Sequence, residues 1–80
     1  MTYRFTDYFE NKVLAKRPYL TKDMCIAVVE ESVQREMQED GERVRFWAQV
    51  PELGGRYLRV ITLEDEQTIH NAFPDRRFKP

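Results

Sequence analysis

The chain closes with TIHNAFPDRRFKP, a stretch holding its one histidine, His70, shortly before the paired Arg76 and Arg77. An imidazole is the only side chain that changes charge near neutral pH unaided, so His70 is the natural acid or base. Guanidinium groups pair with phosphate oxygens and neutralise charge that develops on them. With Arg59 added, the set His70, Arg59 and Arg77 has the chemistry of metal-independent RNA cleavage. That reaction activates a ribose 2′-OH, neutralises a phosphorane and protonates a leaving oxygen. Arg17, Arg45 and Arg76 are supporting phosphate contacts, and Trp47 or Tyr57 offers a ring on which an unpaired base stacks. Each group also has a plainer role. His70 suits a structural position, Arg76 and Arg77 suit a solvated end paired with Asp75, and Cys25 on an apolar helix face suits the core.

Composition narrows the setting. Eighty residues make one domain, 1–80, and 13 Lys+Arg against 14 Asp+Glu give a formal net charge of -1. Nucleic acid would therefore be held by clustered cations and not by overall charge. One Cys and one His cannot build a classical zinc site, so no metal is expected. No cofactor is expected either, because the glycine-bearing loop PELGG lacks the Lys and Ser/Thr of a phosphate-cradling loop. A lone cysteine, no long apolar run and no leader pattern point to the cytoplasm and away from the membrane. Composition assigns no oligomeric state.

The elements that must position these groups follow from periodicity. TDYFENKVLAKRP predicts a helix over 7–16, with Thr6 as N-cap, acids at its start, bases at its end and Pro18 as its stop. TKDMCIAVVEES predicts a second helix over 21–31, capped by Thr21, with Cys25, Val28 and Val29 on one face. Beyond Ser32 the period becomes two. VQREMQ reads as an edge strand, Asp40-Gly41 as the turn of a hairpin, and RVRFWAQV as a strand with Val44, Phe46, Ala48 and Val50 on one face. RYLRVITL and TIHNAF supply two more strands, the last stopped by Pro74. The expected architecture is α+β, two N-terminal helices packed on one face of a four-stranded antiparallel meander in which 43–50 pairs with 56–63.

Two helices cover only one face of such a sheet. If Leu58, Val60, Ile69 and Phe73 join the covered face, the other collects Arg43, Arg45, Trp47, Tyr57, Arg59 and His70. A one-residue slip in the last strand would send His70 inside.

This layout resembles the RelE/ParE-like toxin superfamily, nearest the BrnT-like branch and its uncharacterised relatives. Members of that branch often begin with a His-led helix followed by spaced Arg residues and end on a strand of the form V-T-x-Y/F-P. Here Ala72-Phe73-Pro74 matches that ending with Asn71 at the Thr position, LRVITL matches the hydrophobic third strand, and Arg17 matches a basic helix end. Tyr8 stands at the position of the leading His and Lys12 at that of the following Arg. The resemblance implies a small endoribonuclease acting on RNA, with an antitoxin-like protein as a partner for the same surface. The alternative is a non-catalytic interaction module on the same fold, a reading that Ile61 and Leu63 on the uncovered face favour.

Overall fold

In the computed structural model, which describes residues 2–38 and 41–80, Thr6 starts the first helix as its position predicts. Its Oγ1 accepts the Phe9 N–H at 3.1 Å and its carbonyl accepts the Glu10 N–H at 3.1 Å. This helix, α1, covers residues 7–16 and is not regular, because Phe9–Val13 forms a π turn in which Leu14 N–H reaches back to the Phe9 carbonyl. It stops at Arg17, which leaves the helical region at φ -126° and ψ 73° just before Pro18, as a following proline disfavours helical geometry. The second helix, α2, is Lys22–Glu30, and its N-cap Thr21 accepts the Met24 N–H at 3.1 Å.

The sheet has five strands. In chain order they are β1 (Arg4–Phe5), β2 (Gln34–Met37), β3 (Arg43–Val50), β4 (Arg56–Leu63) and β5 (Thr68–Pro74), arranged in space as β1-β5-β4-β3-β2. The last four are antiparallel in sequence order, and β3 pairs with β4 over their full lengths, from Arg43 opposite Leu63 to Val50 opposite Arg56. The addition is β1, which lies parallel to β5 with Arg4 opposite Thr68 and Phe5 opposite Ile69. The expected four-stranded antiparallel meander is therefore part of a mixed five-stranded sheet. Two residues are too few to display a period of two, so β1 carries no signal in the sequence.

All four residues of β2 are exposed, as suits an edge strand. Part of the expected Asp40-Gly41 turn, Asp40 itself, lies outside the described residues. Gly41 sits at φ 73°, where a side chain would be strained, and its N–H donates to the Gln38 carbonyl at 2.9 Å.

The helices bury Phe9, Val13, Leu20, Cys25 and Val28 against Val44, Phe46, Ala48, Val50, Leu58, Val60, Ile69 and Ala72. The inward residues of β3 and β4 are those the alternation predicts. In β5 the pattern changes. Ile69 and Ala72 are both fully buried although they are three residues apart, because a bulge interrupts the ladder. Asn71 stands opposite Ile61 and Ile69 opposite Thr62, which leaves His70 as the extra residue. Phe73 accordingly lies opposite Arg59 and outside the core, and Ala72 takes the inward place expected of Phe73. Burial pushes the Cys25 thiol up to about 12, so it is a packing group and not a nucleophile. No helix among the described residues is long and apolar enough to cross a membrane.

Candidate functional site

The sheet face turned away from the helices divides into two halves. At the end nearer the C-terminus, the tail turns back across it. Asp75 N–H donates to the Tyr57 carbonyl at 2.9 Å, which starts the turn just after Pro74. One carboxylate oxygen of Asp75 then accepts Trp47 Nε1–H at 3.0 Å, Arg59 Nε–H at 3.1 Å and Arg59 Nη2–H at 2.7 Å. The other accepts the Arg77 backbone N–H at 3.1 Å. Burial pushes the Asp75 carboxyl up, but the hydrogen bonds from Trp47 and Arg59 outweigh it and hold it below the usual carboxylate range.

Three residues further on, Phe78 stacks on Trp47 at 5.0 Å and 12° and leans on Tyr57 at 5.0 Å. Arg59 lies over Trp47 and Phe73, 5.3 Å and 5.0 Å from their centroids, and Arg17 reaches Phe73 from the end of α1 at 5.8 Å. Trp47 is left 3% exposed. The surface expected to stack on a base is thus stacked on the chain's own tail. Arg76 and Arg77 remain exposed on that tail, and Arg76 lines a hollow of about 290 Å³ with Arg56, Tyr57 and Phe78.

The other half has no tail laid across it among the described residues, but it is not bare. Ile61 is only 9% exposed, and Leu63, Arg43, Arg45, His70 and Asn71 are half-buried, so the exposed apolar patch expected at Ile61 and Leu63 is not formed. Arg45, Ile61 and Asn71 stand in one cross-strand row, with Arg43 two residues before Arg45 on the same face. Arg45 Nη1 lies 3.9 Å from Glu36, and its Nε is buried with no hydrogen-bond partner among the described residues. His70 joins this half through the bulge. Its Nδ1 is 3.0 Å from Thr6 Oγ1, and its ring stacks on Tyr8 at 5.0 Å and 29°. Burial, and then the charge of Arg43, lower its pKa from the ordinary histidine value, so the ring is neutral at pH 7.

The residues expected to act together therefore fall into two groups. Arg17, Trp47, Tyr57 and Arg59 meet around Phe73, Asp75 and Phe78, with Arg76 and Arg77 beside them. His70 and Arg45 sit in the open half. The partners of His70 and those of Arg59 have no residue in common. Sequence reasoning placed Arg43 on one face with His70 but missed Thr6 and Tyr8 as its neighbours, and Asp75 and Phe78 as the cover of the aromatic half. One signal was present: an inward-leaning indole needs an acceptor for its N–H, and Asp75 is the nearest carboxylate after the last strand. No group of three or more His, Cys, Asp or Glu among the described residues is placed to hold a metal ion. Comparison with protein-family models, with curated proteins and with solved structures returned no match to this chain.

Proposed function

We propose that the protein binds single-stranded RNA through the open half of its outer sheet face and cleaves it without a metal, with His70 as the general base. The observation that carries this reading is the setting of His70: an oriented, neutral imidazole beside a guanidinium. Thr6 engages Nδ1, which leaves Nε2 for the substrate. In the proposed reaction Nε2 takes the proton of a ribose 2′-OH, whose oxygen attacks the adjacent phosphorus, and water supplies a proton to the departing 5′ oxygen. Arg43 and Arg45, both half-buried on this face, hold the non-bridging oxygens through the exposed parts of their guanidinium groups. This moves the phosphate role from Arg59, which Asp75 already occupies, to the two arginines of β3. Arg76 and Arg77, exposed on the tail, add to the attraction of the backbone. Tyr8, the position at which the BrnT-like pattern has its leading His, stands against His70 and supports the same location.

The test is a titration of a labelled single-stranded RNA at low and moderate salt, with cleavage followed on a gel. His70→Gln is expected to abolish cleavage and leave affinity within about threefold. Arg43→Ala with Arg45→Ala is expected to weaken both, with a shallower salt dependence. Binding that is retained without any cleavage by the unmodified chain would leave an RNA-binding module. Failure to bind at low salt would end the proposal.

A further inference from the structure

On the opposite side of the sheet a cleft of about 610 Å³ opens between α2 and the far end of β3. Its floor is apolar, built from Met24, Val28, Val33, Ala48 and Val50, and its rim carries Asp23, Glu31 and Glu52. No Lys or Arg lines it, and none of those three carboxylates is in an ion pair among the described residues. Val33 at the mouth is 61% exposed.

Two further observations concern this place. First, Glu30 and Glu31 close α2, with no base in its last turn. Acids beside the negative end of the helix dipole weaken a helix, so folding alone does not account for Glu31. Second, the sheet edge is open here. β2 begins at Gln34 opposite Trp47, and Val33 N–H still donates to the Trp47 carbonyl at 2.8 Å. The edge is therefore open from Gln49 onward, with β4 on one side and no strand on the other among the described residues. An open edge accepts an extended segment through main-chain hydrogen bonds, and alternate side chains then fall into the neighbouring groove.

We propose that this cleft docks an extended, basic segment of a partner protein, laid along β3 beyond the start of β2. An apolar side chain of the segment rests on Met24, Ala27 and Val33, the accessible apolar residues of the cleft. Lys or Arg residues beside it meet Glu31, Glu52 and the carbonyl end of α2. Charge complementarity selects the partner, because an acidic segment would face three carboxylates with no ion pair among the described residues and a helix terminus of the same sign. The site lies across the sheet from His70 and does not depend on the RNA reading.

The probe is a fluorescein-labelled octapeptide of alternating arginine and valine, with alternating glutamate and valine as its counterpart, followed by anisotropy. The basic peptide is expected to bind at least tenfold more tightly than the acidic one. Glu31→Lys with Glu52→Lys is expected to weaken the basic peptide at least tenfold. Glu31→Lys alone is expected to raise the urea midpoint, since a cation suits the helix end, while lowering peptide affinity. A merely structural carboxylate would not separate stability from binding in this way. Amide shift changes should fall on the last turn of α2 and on Ala48–Val50. Equal affinity for the two peptides, unchanged affinity in the double variant, or shift changes confined to the outer face would overturn the proposal.

Discussion

On β3, Arg45 and Trp47 are two residues apart and share a face, yet their surroundings differ in kind. Trp47 lies under Phe78, with its indole N–H on Asp75, and Arg59 is held by the same carboxylate. Arg45 has one loose contact with Glu36 and a buried Nε with no partner among the described residues. One half of the face is satisfied by the chain itself, and its central cation, Arg59, is already neutralised. The other keeps one buried donor, Arg45 Nε, without an acceptor among the described residues, near a neutral histidine. Residue types do not separate the halves, because both carry arginine and aromatic groups. What separates them is whether an internal anion reaches them, and Asp75 reaches only one.

Removing that anion is expected to have the largest effect. Asp75→Ala leaves the partly buried Arg59 and the Trp47 N–H without their acceptor and should cost about 3 kcal/mol in urea unfolding. Asp75→Asn, which keeps an acceptor but loses the charge, should cost less than half of that. A loss under about 1 kcal/mol for the alanine variant would mean that the two halves differ little.

Phe78→Ala should come next, at about 1–2 kcal/mol, because it removes a stacked ring and uncovers Trp47. The single tryptophan makes this visible, since its emission should shift to the red as water reaches the indole. The comparison sharpens if this variant also gains affinity for single-stranded RNA, as an opened aromatic surface would allow.

The pH dependence of the two halves should differ. Asp75 has a lowered carboxyl pKa in the fold, so its stabilisation is complete above the unfolded value near 4. That contribution is lost as pH falls through the lower folded value. His70 also has a lowered pKa, so the unfolded chain binds its proton more readily. Its contribution is complete above about 6.5 and declines as pH falls below that. His70→Gln should therefore flatten stability below about pH 6.5, and Asp75→Asn should flatten it below about 4. Both slopes are read from urea midpoints measured across the range.

The smallest effect on folding should come from the open half. Arg43→Ala with Arg45→Ala is expected to change stability by no more than about 0.5 kcal/mol, since neither side chain is in a tight pair among the described residues. A large loss would place Arg45 among the structural groups and weaken the contrast.

The sequence made some of this legible. The helix caps at Thr6 and Thr21, the end of α1 before Pro18 and the direct pairing of β3 with β4 all follow from local rules that the fold obeys. β5 shows where local rules stop. Strict alternation puts Phe73 inside and Ala72 outside, but the bulge at His70 inverts that order, and nothing in TIHNAF marks it. The site was half legible for a related reason. Alternation collected Arg45, Trp47, Tyr57 and Arg59 on one face, but it cannot say which of them meets a tail that lies outside the strands. DRRFKP reads as charged and solvent-facing, whereas Asp75 and Phe78 make it a cover. The parallel β1 brings Thr6 beside His70 through contacts more than sixty residues apart, which no window along the chain contains.

Cys25 gives the molecule a built-in clock. The thiol is fully enclosed between α2 and the sheet, and with its acidity pushed to about 12 it supplies almost no thiolate at pH 8 while the fold is closed. Alkylation at that pH must proceed through molecules in which α2 has lifted from the strands, so its rate counts opening events. Because α2 also forms one wall of the acidic cleft, a segment seated there should slow the reaction in proportion to its occupancy. RNA on the far face should slow it only as far as it stabilises the whole domain. One cysteine thus reports, by a rate alone, which side of the sheet is in use.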